Sequence, residues 1–298
     1  MIIFLVASLH QTFSVVCEVK INDTWEVDNL IKRIKANPVC TKKKGNSNYQ
    51  SKKIWLFGIH AVREALLNTQ RKKYELILTP NAFNKIKFSY RKDEISPKIV
   101  DPKIFRPPIE PTSVHQGAAL KVDPLNWGSV SKICYPNNFS SLVLLLDRVT
   151  DPHNVGAIMR SAQVFGTKAL IAPKRYSVQE TGALAKSASG ALERQPYFRV
   201  PNLHLTIVAL KDMGYYVIGL DADSKSSIDE VLNSINPTPI AIVVGAEGEG
   251  LRELTKKSCN ELVRINSTTN FASLNVSNAA AVSLFAARGK MNLWPSKD

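Results

Sequence analysis

The chain has 298 residues, of which 44% are hydrophobic and 21% are charged, a composition that excludes a disordered or fibrous protein and leaves room for two domains. Its formal net charge is +14 at pH 7, and the excess lies mostly in residues 1–140, which hold 22 Lys and Arg against 11 Asp and Glu. Such a surface attracts polyanions, so nucleic acid is the expected partner.

Residues 1–53 show no clean hydrophobic period and end in a polar stretch rich in Lys, Asn, Ser and Gly. We interpret them as a loosely ordered leader with a targeting role. The apolar run after Met1 is too short to span a membrane and lacks a basic n-region, so neither a membrane segment nor secretion is expected. The first 17 residues contain no acid, as in a mitochondrial presequence, but they also contain no Arg.

Residues 54–124 have the pattern of a small α/β domain. A short strand or turn at 56–60 leads into a helix with one apolar face. Further strands are predicted at 74–78 and 117–122, and the segment 81–115 between them is basic and irregular. A domain of about 70 residues is at the lower end of the usual size range, so we expect it to pack against a larger domain.

Residues 125–140 are rich in Asn, Ser, Pro and Gly and predict a linker to a second domain at 141–293. Strands are predicted there at 141–146, 169–172, 196–200, 216–220, 240–244 and 262–265. Helices are predicted between and after them, at 154–165, 179–190, 204–212, 227–234, 250–258 and 275–289. Apolar strands alternating with helices predict a parallel sheet covered on both faces. The ligand crevice of such a sheet lies beyond the carboxyl ends of its strands.

The segment 147–162 leaves the first of these strands, turns at Asp151-Pro152 and enters a helix. Asn154 lies near the predicted cap of that helix and Arg160 about two turns further on. Both side chains are expected to face the crevice. The alternative is an ordinary capped helix with a solvated arginine.

The segment 245–251 is rich in glycine and directly follows the strand at 240–244. Its spacing is neither the P-loop pattern nor the dinucleotide pattern, which excludes both usual nucleotide-binding interpretations. The glycines permit tight turns and the close approach of a ligand. Glu247 in this loop is a candidate site residue, and the alternative is a charge that caps a helix.

A third polar segment, residues 265–275, runs into a helix of small residues. Ser273 and Asn275 lie at its junction with the helix and are candidates for the site. The alternative is a capped, buried helix without a functional role.

Taken together and in this order, the three segments resemble the motifs of the SpoU (TrmH) family of RNA ribose 2′-O-methyltransferases. Residues 57–66 and 114–119 are also similar to the small RNA-binding domain of the branch that acts on guanosine in ribosomal RNA. The resemblance implies an α/β fold of the SPOUT type, whose parallel sheet ends in a C-terminal trefoil knot. It also implies S-adenosylmethionine as cofactor, a homodimer with a shared active site, and large-subunit ribosomal RNA as substrate.

The resemblance gives roles to individual residues. Arg160 would act at the ribose hydroxyl, and because arginine is almost never deprotonated we expect it to orient the oxygen and stabilise negative charge there. Glu247 is expected to hold Arg160 by a charge-assisted hydrogen bond. The polar residues around the target ribose are Asn154, Glu247, Ser273 and Asn275. The cofactor would be bound at Val244, Gly245, Ala246, Gly248, Ile265, Leu274 and Asn275.

No metal site is expected, because the four cysteines lie far apart without a pair or a nearby histidine at ligand spacing. His60 and His115 fall in the small-domain motifs, where a lone histidine is more often structural. A nicotinamide-dependent enzyme is disfavoured by the missing glycine fingerprint.

Two functional alternatives stay open: transfer RNA as the substrate, and a non-catalytic ribosome-assembly protein on the same fold. Transfer RNA is disfavoured by the small domain at 54–124, and loss of catalysis by the presence of every candidate polar residue. A leader before a bacterial-type enzyme suggests a mitochondrial protein, and the alternative location is the cytoplasm.

Overall fold

The computed structural model describes residues 53–89, 94–268 and 274–291. The predicted leader, apart from Lys53, lies outside these ranges. The described residues form one compact unit that contains two sheets. In the described part of the chain no helix is long and apolar enough to cross a membrane.

The smaller sheet has four strands in the order β1-β4-β2-β3. Its elements in chain order are β1 (Ile54–Phe57), α1 (Ile59–Leu67), β2 (Lys73–Leu78), α2 (Pro80–Ile86), β3 (Pro97–Ile99) and β4 (Ala118–Val122). The central strand β4 pairs antiparallel with β1 and β2, and β3 joins the far edge parallel to β2. Helix α1 buries its apolar face against the sheet, as its spacing predicts.

The segment 81–115, predicted to be irregular, contains regular structure. Helix α2 begins after Thr79, whose hydroxyl accepts a hydrogen bond from the backbone N–H of Ala82 at 3.4 Å, and Pro80 occupies its first position. The strand β3 is held by its pairing with β2. A seven-residue helix and a three-residue strand are too short for a hydrophobic period, which is why the prediction was wrong here.

The larger sheet has six parallel strands in the order β10-β8-β9-β5-β6-β7. Its strands are β5 (Leu142–Asp147), β6 (Ala169–Pro173), β7 (Tyr197–Val200), β8 (Tyr216–Leu220), β9 (Ile240–Gly245) and β10 (Glu261–Val263). Its helices are α4 (Pro152–Val164), α5 (Gly182–Ala188), α6 (Leu203–Asp212), α7 (Ile228–Ser234), α8 (Glu253–Ser258) and α9 (Val276–Lys290). A short helix α3 (Val130–Ile133) precedes the sheet, within the predicted linker.

The predicted parallel α/β sheet is confirmed, with its strands and helices within a few residues of the expected bounds. Every residue of the central strand β5 is buried, as expected for a strand with helices on both faces. The C-terminal trefoil knot stays a prediction.

A buried ion-pair network joins the two sheets. The guanidinium of Arg71 donates to both carboxylate oxygens of Glu193, at 3.0 Å for Nε, and also to Glu180 and to the carbonyl of Asp123. The side chain of Arg71 is completely buried. Gly182 lies so close to β1 that an added Cβ would stand 2.4 Å from the backbone oxygen of Trp55. The small sheet is therefore fixed against helix α5.

Candidate active site

The edge of the large sheet where β5 and β9 end carries the first two predicted motifs. Asp147 and Gly245 are direct partners across the two strands. The chain then turns at Asp151, whose carboxylate accepts from the backbone N–H groups of His153 and Asn154 at 3.1 and 3.2 Å. Asp151 is thus the N-cap of α4. Asn154 lies near the cap, as predicted, in the first turn of the helix, where its side chain does not serve as the cap.

The glycine-rich loop after β9 is a tight, closed turn. Ala246 and Gly250 exchange two backbone hydrogen bonds, of 3.2 and 2.9 Å. Gly245 packs directly against this closure, because an added Cβ would lie 2.2 Å from the carbonyl carbon of Gly250. Only a residue without a side chain fits there, and the loop is thereby held close to the strand end.

Three polar side chains from the three motifs meet at this edge. Glu247 Oε1 accepts from Asn154 Nδ2 at 3.3 Å and from Asn275 Nδ2. Asn275 Nδ2 also donates to Asn154 Oδ1 at 3.0 Å. We call Asn154, Glu247 and Asn275 the polar triad. The structure brings together these three of the candidates that the sequence suggested.

The triad also fastens the start of helix α9. Asn275 is the N-cap and accepts from the backbone N–H of Ser277 at 2.9 Å, while Glu247 accepts from that of Val276 at 3.4 Å. The alternative interpretation of Glu247, as a charge that caps a helix, is therefore correct for its contact with α9. Capping leaves Glu247 Oε2 and one N–H of Asn154 without a protein partner among the described residues.

Arg160 lies two turns along α4 from Asn154 and is exposed to solvent. It makes no hydrogen bond or ion pair with any other residue that the structure describes. The prediction that Arg160 donates a hydrogen bond to Glu247 is wrong: Glu247 Oε1 accepts from the two asparagines and the α9 terminus, and no bond joins either oxygen to Arg160. An unpaired guanidinium on the helix that carries Asn154 is free to bind an anion or a hydroxyl oxygen.

Of the remaining candidates, those that the structure describes lie at the end of β9, in the loop that follows it, after β10 or before α9. Val244 is buried in β9, and Ala246 and Gly248 belong to the closed loop. Ile265 follows β10, and Leu274, which is exposed, precedes α9. No hydrogen bond joins Ile265 or Leu274 to the glycine-rich loop among the described residues. Ser273 lies outside the described residues.

Two ion pairs that sequence reasoning missed fix this edge. Asp147, which is fully buried, accepts from Arg252 through Nε at 2.8 Å and through the backbone N–H at 3.1 Å. Arg148, which has a positive φ of 65°, pairs with Glu249 at 2.6 Å. The signal available in the sequence was an acid directly after five apolar strand residues, since a buried carboxylate needs a partner.

The described cysteines and histidines carry no metal-binding cluster. Burial raises the pKa of the thiols of Cys134 and Cys259 to about 12, so both stay protonated and neither supplies a nucleophilic thiolate. His115 accepts from the backbone N–H of Gly117 at 3.0 Å and stacks on Phe105, which is the structural role expected for it. His60 is exposed.

Comparison with known proteins finds family matches for the parts of the chain that form both sheets. The sequence model of the SpoU rRNA Methylase family matches residues 141–285, and that for RNA 2′-O ribose methyltransferase substrate binding matches residues 55–128. The 23S rRNA (guanosine-2′-O-)-methyltransferase RlmB of Photobacterium profundum is 34% identical over 246 residues, or 78% of this chain and 96% of that protein. The chain belongs to the SpoU methylase family.

The chain is also similar to other members of the SpoU family, one compared by sequence and one by structure. RlmB of Ralstonia nicotianae is 40% identical over 187 residues, which are 62% of this chain and 74% of that protein. One similar structure is that of the SpoU methyltransferase AviRb from Streptomyces viridochromogenes, solved in complex with the cofactor AdoMet. It aligns with a TM-score of 0.66 and 21% identity, over 83% of this chain and 94% of that chain. The likeness to AviRb shows a shared fold. The predicted family and the prediction of a methyltransferase are confirmed.

Proposed function

We propose that the chain transfers a methyl group from S-adenosylmethionine to the ribose 2′-oxygen of a guanosine in large-subunit ribosomal RNA. The observation that carries the proposal is the polar triad, in which one residue from each of the three family motifs meets at the carboxyl edge of the sheet. The two RlmB proteins named above are guanosine-2′-O-methyltransferases of 23S rRNA, which supports the choice of base and of RNA.

The strand end and glycine-rich loop suit a bound nucleoside. The backbone hydrogen bonds between Ala246 and Gly250 close the turn, and Gly245 keeps it close to β9, so the loop lies directly beyond the strand end. Residues that would hold S-adenosylmethionine are Val244, Gly245, Ala246, Gly248, Ile265, Leu274 and Asn275. When bound, this cofactor supplies a methyl group on a positively charged sulfur, which a ribose oxygen can attack.

The protein's part in such a reaction is to position the hydroxyl and stabilise charge on its oxygen. Arg160 is exposed and unpaired among the described residues, so its N–H groups can donate to the ribose oxygen or to a neighbouring phosphate. Asn154 retains one N–H and Glu247 retains Oε2 for the substrate. Glu247 fixes both amides of the triad, and Ser273 completes the candidate set by family resemblance.

A homodimer is part of the proposal. Helices α4 and α9 pack together and expose apolar side chains near their contact, Val164 at 76%, Phe285 at 58% and Val282 at 42%. The ring of Phe285 lies edge-on to Phe165, with 6.2 Å between centroids. A second copy of the chain would remove this apolar surface from water, and sedimentation of the purified protein tests for it.

The deciding experiment is transfer of labelled methyl to purified ribosomal and transfer RNA, followed by mapping of alkali-resistant linkages. We expect label at one guanosine of the large ribosomal RNA. Label in transfer RNA alone would keep the chemistry and overturn the substrate. RNA binding without label in any RNA would instead support the assembly-protein alternative.

The mitochondrial location is a separate part of the proposal. It depends on the leader of residues 1–53, and the relatives named above are bacterial. A fluorescent protein fused after residue 53 tests it. Import into mitochondria is expected, and a diffuse cytoplasmic signal from the same fusion would overturn this part alone.

A further inference from the structure

A second feature of the sheet edge lies beside the polar triad, in the loop that follows β6. Residues 174–176 read Lys-Arg-Tyr, and all three are exposed. The side chain of Tyr176 is 68% exposed and its backbone has a positive φ of 57°. Non-glycine residues rarely adopt this conformation, so surrounding contacts must hold it.

Those contacts fasten the loop at both ends. The backbone N–H of Lys174 donates to Val200 of the neighbouring strand at 2.6 Å. Arg199 donates to the carbonyl of Lys174 and, at 3.2 Å, to the hydroxyl of Ser177, which in turn donates to Pro173. A buried strand end and one bridging arginine thus hold a loop whose tip presents an aromatic ring to solvent.

The ring is coupled to the glycine-rich loop through Arg148. The guanidinium of Arg148 lies 5.4 Å from the centroid of the Tyr176 ring and pairs with Glu249, two residues after the triad's Glu247. The Arg148–Glu249 pair is neutral overall, so the net positive charge of the loop that carries the ring comes from the exposed residues Lys174 and Arg175. An exposed tyrosine alone carries no argument, since single exposed apolar side chains are common.

An exposed aromatic ring in a loop that also carries a lysine and an arginine is a combination that binds single-stranded nucleic acid. Bases stack on the ring and phosphates pair with the flanking cations. We infer that Tyr176 is a stacking platform for an unpaired RNA base next to the nucleotide that reacts, with Lys174 and Arg175 contacting its phosphates. This inference rests on the proposed RNA substrate and adds the contact that holds its flanking base.

The test uses the full-length protein and a short single-stranded RNA that carries the fluorescent base 2-aminopurine. Stacking on an aromatic ring is measured as quenching of that base, and affinity by anisotropy of an end-labelled copy. We expect Tyr176→Ala to weaken binding about tenfold and abolish the quenching, because one base stack is lost. Tyr176→Trp should retain both, because it keeps an aromatic face.

The matched control is Tyr135→Ala. Tyr135 is 64% exposed and lies beside Lys168, before β6, at the opposite edge of the sheet. This variant should bind and quench as the unaltered protein does. The double variant K174A/R175A should lower the slope of log affinity against log salt by roughly 1 to 2, whereas Tyr176→Ala should leave that slope unchanged.

Unchanged affinity and quenching in Tyr176→Ala, with tight binding by the unaltered protein, would overturn the platform and leave the proposed function standing. Equal losses in Tyr176→Ala and Tyr135→Ala would do the same. Failure of the unaltered protein to bind or methylate any RNA would overturn both. Thermal unfolding of each variant separates these outcomes from misfolding, and Tyr176→Trp tests the ring if Tyr176→Ala does not fold.

Discussion

Two arginines of this chain occupy opposite environments. Arg71, between the two sheets, is completely buried and bonds to two carboxylates and a backbone carbonyl. Arg160, on helix α4 at the candidate active site, is exposed and has no partner among the described residues. Four of the five N–H donors of Arg71 bond to the protein, whereas those of Arg160 bond to none of the described residues.

Burial and bonding partners distinguish a charge that stabilises the fold from one that can bind a ligand. A buried charge needs partners, so removing either side of such a pair affects folding. An exposed charge keeps its hydration, so it costs little to maintain and is available to a ligand. We therefore expect substitutions at the domain junction to lower stability, and substitutions at the sheet edge to lower activity.

The largest effect is expected for Arg160→Ala. Removing one hydrogen-bond donor to a developing oxyanion reduces turnover by about a hundredfold to a thousandfold. Single-turnover methyl transfer measures this loss, and calorimetry should find S-adenosylmethionine binding nearly intact. Arg160→Lys, which keeps the charge without the planar fork, should recover part of the rate. Full turnover in Arg160→Ala would remove this residue from the mechanism.

Arg71→Ala tests the other side of the comparison. It leaves Glu193 and Glu180 buried without a counter-charge, so the free energy of unfolding in urea should fall by about 3–5 kcal/mol. The control is Arg194→Ala, which also breaks an arginine–glutamate pair across the junction, with Glu64, but at a side chain that is 61% exposed. That control should lose about 1 kcal/mol or less. Equal losses would contradict the distinction between the two environments.

Glu247→Gln tests whether the triad does more than cap α9. Neutralising Glu247 weakens its bonds to the two asparagines, and a loss of about 1.4 kcal/mol in positioning would slow methyl transfer roughly tenfold. The unfolding free energy should change by about 1 kcal/mol or less, as for a single cap. Lower stability with unchanged turnover would reduce Glu247 to a cap.

The sequence predicted the features that depend on local pattern. Strand β5 was recognisable from its unbroken apolar run. The parallel-sheet rule predicted a crevice where these strands end, and Asn154 and Glu247 meet there. Helix α2 was missed because seven residues hold no full apolar period. The junction at Arg71 left no signal, since its partner Glu193 lies 122 residues away and only the folded chain brings them together.

The smallest effect concerns the pH dependence of the junction. Burial raises the pKa of the Glu180 carboxyl above its usual value of 4.5, although the charge and hydrogen bond of Arg71 and the backbone N–H of Leu125 offset part of this effect. The folded protein therefore holds a proton that the unfolded chain has already lost above pH 4.5, and stability falls as pH rises from 4.5 through the raised pKa.

Glu180→Gln cannot titrate, so its stability relative to the unaltered protein should rise as pH rises from 4.5 to the raised pKa, by at most about 1.4 kcal/mol per pH unit. Urea unfolding of both proteins at several pH values measures this difference. A difference that stays constant with pH would show that Arg71 keeps Glu180 ionised despite its burial.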